Sequence, residues 1–436
     1  MALTIIKGGR EQSLANWGIS LPVLTRRSFE KDEFEFTIRR QDCLSAADFA
    51  YDDQVELRQD GVTRFIGKIR GDRTKGEPTM ESVAFTCANF FDDLECLVYQ
   101  QNRKVVAGDF VSKTDVPTTQ VTLFRNPLYN DITKSWAHWT TNEQIQALID
   151  FARTAGVSCG RVVAGDAVQP PWSEARDITV AAALRRCQLW VPDSGSWVDY
   201  SAAPPALNVD RRAVMDTASI DLTGATQVLQ FDCRPRNDLV PRGVVLIFQT
   251  AESNSADGSL YSRFTTSVAG ATVGPRVLIQ TLDLTALENE IGPYLSVPVG
   301  GTKYLAQDYF DSLQTVHFDG LLTLKHAECP GTWHPGQLVT FLNGRPEWEA
   351  GAVLQEVEEN IMTGVTKIRF GAPSSMAAAD FLTLLLTGKF ARKDTPGGAG
   401  SIAANSTGLQ PSNAGNSVRL DLCDGSTVTV LSPGVG

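Results

Sequence analysis

The chain has 436 residues, of which 42% are hydrophobic and 20% charged, and a formal net charge of −11. That length is enough for two or three domains and a large core without covalent staples. The acid surplus argues against a groove that grips nucleic acid through its phosphates, and it is concentrated in residues 213–375, which alone carry net −8.

Residues 1–105 read as a first β-unit. In FEFTIRR (34–40), Phe34, Phe36 and Ile38 alternate with Glu35, Thr37 and Arg39, the period of a half-buried strand. QVELRQDGVTRFIGKIR (54–70) holds two strand-like runs joined at Asp60-Gly61, a dipeptide suited to a type I′ turn because both central residues need positive φ. ESVAFTCANF (81–90) supplies another strand.

Residues 106–212 read as a small α/β insert. TTNEQIQALIDFARTAGV (140–157) predicts a helix capped by Thr141 or Asn142, with Ile145, Leu148, Ile149 and Ala152 on one face and Gly156 at its end. DITVAAALRRCQLW (177–190) predicts a second helix, capped by Asp177 or Thr179. LWVPDSGSWVDYSAAPPALNV (189–209) then predicts a hairpin turning at Asp193-Ser194-Gly195-Ser196, with Trp190, Trp197 and Tyr200 packing it against that helix.

Residues 213–375 read as a second β-unit. Strands are expected at GVVLIFQT (243–250), SRFTTSVA (262–269), RVLIQTLDL (276–284) and HFDGLLTLKH (317–326), with a short helix at KYLAQDYFDSLQ (303–314). GQLVTFLNGRPEWEAGAVLQEVEEN (336–360) again joins two runs at a type I′ dipeptide, Asn343-Gly344. Val55 to Gly61 and Leu338 to Gly344 span the same interval, a second glycine follows (Gly67, Gly351), and a closing strand ends each unit. This is one β-unit written twice with the insert between the copies. Residues 376–436 are a Gly/Ser/Asn/Pro linker over 393–417 and a terminal hairpin around Asp424-Gly425.

A search for chemistry returns little. No two of the eight cysteines lie within three residues of one another, so they read as buried thiols of a protein made in a reducing compartment. HAECPGTWH (326–334) is the best metal candidate, but its spacing is poor for zinc. His138, between Trp136 and Trp139, reads as packed. Ser194 and Ser196 read as turn residues, and no GxSxG elbow occurs. The carboxylate clusters Asp52-Asp53, Asp92-Asp93-Glu95 and Glu356-Glu358-Glu359 are ordinary for an acidic β protein. The basic pairs Arg26-Arg27, Arg39-Arg40, Arg185-Arg186 and Arg211-Arg212 read as solvated surface. The N-terminal apolar run is too short for a secretory signal, and no run approaches a membrane span. The expectation is a non-enzyme without cofactor or metal.

The order of β-unit, insert, β-unit and tail resembles the tail hub or baseplate hub proteins of tailed bacteriophages. DDQVELRQDGVTRFIGKI (52–69) is similar to the first hairpin of that family, ITVAAALRRCQLWVPDSGSWVDY (178–200) to its helix-plus-hairpin module, and CRPRNDLVPRGVVL (233–246) to its re-entry into the second β-unit. The resemblance implies two β-barrel-like tube domains that form a pseudo-six-fold ring as a homotrimer. The protein would be made in the host cytoplasm and sit at the virion tail tip or baseplate. Its partners would be a distal tail protein or tail tube ring, a tape measure protein and a central fibre or spike. DNA would meet it only in transit, and no stable membrane insertion is expected. Candidate channel-lining acids are Glu347, Glu349, Glu356 and Glu358. The alternatives are a tail-associated cell-wall hydrolase and the spike component of a contractile secretion system.

Overall fold

A computed structural model describes residues 2–39, 49–75, 82–107, 112–130, 135–160, 163–164, 168–170, 172–211, 215–221, 228–235, 240–253, 260–283, 305–314, 318–325, 333–343, 352–371, 417–421 and 427–431. Alternating apolar residues produce strands at the predicted runs of the first β-unit. The first β-unit contains β1 (Leu3–Lys7), β2 (Arg10–Ser13), β3 (Ile19–Arg27), β4 (Glu33–Arg39), β5 (Gln54–Gln59), β6 (Val62–Lys75) and β7 (Ser82–Ala88), and α1 (Phe90–Cys96) follows it. Asp60 and Gly61 adopt φ of 50° and 80°, the positive values that the hairpin β5–β6 requires. Phe34, Phe36 and Ile38 are at most 1% exposed and join Ile5, Phe65 and Phe85 in one core.

The insert opens with two small strand pairs, β8 (Gln101–Ala107) with β9 (Ser112–Thr118) and β11 (Arg125–Asn130) with β12 (Ser135–His138). Strand β10 (Gln120–Leu123) pairs with β14 (Ser173–Arg176). Helix α2 (Thr141–Thr154) buries Ile145, Leu148, Ile149 and Ala152 as predicted. Its cap is Thr140, one residue before the expected Thr141. Thr140 and Glu143 form a reciprocal capping box, which satisfies two orphan donors at once and fixes the start. Helix α3 (Val180–Leu189) is capped by Thr179.

The expected hairpin across Asp193–Ser196 is corrected. Leu189 belongs to α3 and Trp190 is its C-cap. Ser194 already begins β15 (Ser194–Asp199), which runs antiparallel to β16 (Ala206–Arg211), so the chain turns between Tyr200 and Pro205. β13 (Val163–Ala164) adds to β16 in parallel.

The second β-unit holds β17 (Thr217–Asp221), β18 (Val228–Pro235), β22 (Phe318–Lys325), β23 (Leu338–Leu342), β24 (Ala352–Asn360) and β25 (Val365–Phe370). Between β18 and β22 the chain leaves to form a separate three-stranded sheet of β19 (Gly243–Ser253), β20 (Leu260–Gly270) and β21 (Val277–Asp283), against which α4 (Leu305–Gln314) packs. A second core gathers Leu322, Leu324, Phe341, Leu354, Val357, Ile368 and Phe370. All these elements lie in one compact body, Met1–Lys389. In a second body, Phe390–Gly436, the expected terminal hairpin is present as β26 (Ser417–Asp421) paired with β27 (Thr427–Leu431).

The strand order makes the internal repeat physical. The first unit reads β5-β6-β7-β4-β3 and the second β23-β24-β25-β22-β18, with every adjacent pair antiparallel in both. Bulges fall in equivalent ladders. β6 against β7 slips between Ile69 and Gly71, and β24 against β25 between Leu354 and Glu356. β3 against β4 slips between Ser20 and Val23, and β18 against β22 between Val228 and Gln230. A bulge bends and twists its strand, so both units are bent in these same two ladders. The ladders pair Gly67 with Val55 and Ala352 with Val339. Val55 is therefore equivalent to Val339, one residue beyond the Leu338 that the glycine spacing suggests.

The expectation of two β-barrel-like domains is met in part, as mainly β-structure without a closed barrel among the described residues. Among the described residues the two units share one 13-stranded sheet whose path ends at β2 and β18. The outer edge of β3 is taken by β24 of the second unit, not by a strand of its own.

Candidate functional site: the seam between the β-units and the insert that locks it

Strand β24 is long enough to serve two neighbours on one side. Its first residues pair with β23, and Glu356–Asn360 pair antiparallel with Val23–Arg27 of β3. The ladder extends past both strand ends, from Ser28 N to Gln355 O at 2.9 Å and from Ile361 N to Pro22 O at 3.1 Å.

Alternation then gives the two faces of the seam different chemistry. On one face Arg27 bridges Glu33 at 2.7 Å and Glu356 at 3.3 Å, and Arg369 holds the other Glu356 oxygen at 3.2 Å. Lys367 pairs with Glu358 at 2.7 Å. On the other face Glu359, 3% exposed, lies between Arg26 at 2.5 Å and Arg64 at 2.8 Å. Arg64 comes from β6 of the first unit and Glu359 from β24 of the second, so this buried triad ties the two cores together. A buried carboxylate needs such partners because its desolvation is otherwise prohibitive.

The insert clamps one end of the seam. Phe29 N donates to Ser196 Oγ at 2.6 Å, and Ser196 N donates to Ser28 Oγ at 2.9 Å. Ser196 is thus a strand residue whose hydroxyl oxygen accepts a backbone hydrogen bond, not a turn residue. Arg185 of α3 donates to Phe29 O at 3.1 Å and pairs with Glu95 at 2.6 Å. Arg211 of β16 reaches Asp193 and Asp308 at 3.2 Å each, and Ser312 at 2.8 Å, fastening the insert to α4.

Each of the three predicted insert aromatics packs against a different part of the chain. Tyr200 joins the first core, 5.8 Å from the Phe65 ring, and donates to Asp32 Oδ2 at 2.5 Å while accepting from Asn89 Nδ2 at 3.1 Å. Trp190 packs on Tyr309 of α4 at 5.7 Å. Trp197, half-buried, stacks on His334 of the second unit at 4.6 Å. Two glycines make that last approach possible. A Cβ on Gly195 would stand 2.5 Å from Gly336 Cα, and one on Gly336 would stand 2.7 Å from Trp197.

Burial sets the ionisation. Asp32 is pushed up to about 6 by burial, against the opposing pull of the Tyr200 and Arg27 hydrogen bonds and the Arg26 and Arg27 charges. Tyr200 is held well above its ordinary value by burial and by Asp32, so it remains the donor of the pair. His334 is lowered by burial, and His138, stacked on Trp172 at 4.4 Å, falls to about 4 for the same reason. Burial also raises the Cys87, Cys159 and Cys187 thiols, whereas Cys96 is exposed.

The remaining sequence candidates divide cleanly. Asp52 and Asp53 pair with Arg70 and Lys7, and Asp92 and Asp93 with Lys31, Arg70 and Lys68. Every carboxylate of the three clusters therefore has a cation, and Glu356 and Glu358 are not bare anions. Glu347, Glu349, Gly344, His317, His326, Cys329 and Arg40 lie outside the described residues. Asn343 has the positive φ expected, 58°, and its amide donates to Asp221 at 2.9 Å. Arg26, Arg185 and Arg211, read from the sequence as solvated, are instead the cations that tie the two β-units, the insert and α4 to one another. The signal available was their position, each at a strand end or on a helix face beside a unit boundary. Among the described residues no group of three or more His, Cys, Asp or Glu could hold a metal ion, and no helix is long and apolar enough to cross a membrane.

This fold is similar to that of a solved bacteriophage tail protein. The 43 kDa tail protein of prophage MuSo2 from Shewanella oneidensis shares it at 13% identity, over 86% of this chain and 99% of that one, with a TM-score of 0.50. The tail protein from Neisseria meningitidis MC58 is similar at 15% identity, over 85% and 96% of the two chains, with a TM-score of 0.49. A component of the E. coli type VI secretion system aligns at 6% identity over 85% and 77%, with a TM-score of 0.44. No family model and no curated protein sequence matches the chain.

Proposed function

We propose that the chain is a structural hub protein of a phage tail tip or baseplate. Three copies form a ring of six similar β-units around the channel for DNA and the tape measure protein. One side of the ring meets a six-fold distal tail protein or tube ring, and the other a three-fold fibre or spike. The observation that carries this reading is the seam. Two units of the same strand order and matched bulges stand edge to edge in one continuous sheet, so one chain supplies two successive steps of a ring. The ion-paired state of all three carboxylate clusters supports a scaffold over a hydrolase, since acid–base chemistry on a sugar needs an accessible protonated acid beside a second carboxylate.

Light scattering with negative-stain imaging tests the proposal. The expected result is a particle of about 142 kDa, three chains of 47.3 kDa, with a ring outline. A compact monomer at every concentration, with measurable clearing of cell-wall substrate, overturns it.

A further inference from the structure

The internal seam has edges that recur unpaired elsewhere in the described chain. The ladders and bulges equate β3 with β18, β6 with β24 and β5 with β23. In the seam, β3 occupies the side of β24 that β23 leaves open. The equivalent two edges recur elsewhere in the molecule. β5 pairs with β6 only as far as Lys68, so among the described residues Gly71–Lys75 have β7 on one side and no strand on the other. Among the described residues β18 pairs with β22 alone and stands at one end of the sheet's path. Asp72 and Arg73 are exposed, as are Leu229, Gln230, Asp232 and Arg234. An exposed edge of this length invites strand addition.

We propose that β18 of one copy adds antiparallel to the second half of β6 in a second copy, in the register of the internal seam. This rests on the ring reading and specifies its contact. The bulge residues fix the register. Gln355 is equivalent to Arg70, and therefore Glu359 to Thr74 and Glu358 to Arg73. Leu24, opposite Phe34, is equivalent to Cys233, opposite Gly320, because Phe34 and Gly320 hold the same place in the closing ladders. Leu24 faces Glu359 in the seam. Thr74 of one copy therefore faces Cys233 of the next, with Arg73 opposite Arg234 and Lys75 opposite Asp232. Each copy then offers one β18 edge and one β6 edge, a head-to-tail contact that must close into a ring or grow into a filament.

The two contacts differ in strength. Where the seam sets Thr25 opposite Glu358, the contact between copies sets arginine opposite arginine, and like charges directly opposite weaken a ladder. Pro235, last in β18, gives up one ladder donor. Association is therefore concentration-dependent, whereas the seam within a chain is permanent.

Opposed residues of an antiparallel hydrogen-bonded pair are about 5.5 Å apart at Cα, inside the range a disulfide spans. The test is Thr74→Cys in the full chain under mild oxidation, with non-reducing gels and peptide mapping. The expected result is covalently linked copies, joined through the introduced thiol and Cys233, absent from wild type and lost when Cys233→Ala is added. A trimer by light scattering without that crosslink overturns the register and leaves the ring reading standing. A monomer at all concentrations overturns the ring reading itself. Arg73→Glu gives a second readout that needs no crosslink. Replacing repulsion with attraction should tighten association roughly two- to five-fold per contact, and unchanged or weaker association overturns the proposed register.

Discussion

Asp32 carries an acidic proton more tightly than a surface aspartate because it is 2% exposed. Burial raises its pKa from 3.8 to about 6, despite Arg26, Arg27 and the Tyr200 hydroxyl, which all favour the anion. The folded state therefore binds this proton more strongly than the unfolded chain. Stability from this group is full below about pH 4 and is lost as pH rises to about 6. At neutral pH the ionised group costs roughly 3 kcal/mol, from 1.36 kcal/mol per pKa unit. Asp32→Asn keeps the shape and removes the titration. The difference in urea-unfolding free energy between wild type and Asp32→Asn should change across pH 4–6.5 and flatten above it. A difference independent of pH would mean that Asp32 titrates like an exposed acid. None of this is legible from the sequence, where Asp32 stands between Lys31 and Glu33 and reads as surface. The partner that defines it, Tyr200, lies 168 residues away.

At the level of elements, strand and helix positions were largely written in local periodicity. Phe34, Phe36 and Ile38 alternate because β4 is half-buried, and Ile145, Leu148, Ile149 and Ala152 recur because α2 buries one face. The reading failed where polar residues are used inside. Ser194 and Ser196 are turn-favouring residues, yet both are at most 1% exposed in β15, where Ser28 and the Phe29 amide pair with Ser196. Trp197 is half-buried, not a core residue, and its partner is the second unit rather than α3. That contact depends on Gly336, whose φ is +82° and whose absent Cβ leaves room for the indole. Gly336→Ala combines an unfavourable backbone with a clash. It should lower stability by roughly 1–3 kcal/mol and shift Trp197 emission to the red as the ring leaves His334. Unchanged emission and stability would show that β15 does not bear on the second unit.

The seam is the feature of the whole molecule that strand patterns could not reveal, because alternation says which face of a strand is buried and nothing about which edge it lends to a neighbour. The repeat itself was visible in Asp60-Gly61 and Asn343-Gly344, but the joining of its copies rests on residues hundreds of positions apart. Glu359 is the test of how firmly they are joined. Its side chain is 4% exposed between Arg26 and Arg64, themselves 10% and 13% exposed. Attraction in that site repays the desolvation of all three groups only while the set is complete. Glu359→Gln keeps the volume and one acceptor oxygen but leaves two buried guanidinium groups without a counter-charge. Removing one member of a buried ion pair costs about 3–5 kcal/mol, and here the loss falls on the boundary between two separate cores. Thermal unfolding of the variant should therefore split, with one β-unit melting before the other, where wild type melts the pair together. The control is Lys367→Gln, which removes the exposed partner of Glu358 on the opposite face and should cost less than about 1 kcal/mol. Equal effects of the two substitutions would mean that the triad contributes no more than a surface ion pair, and that backbone pairing of β3 with β24 alone holds the two units in one sheet.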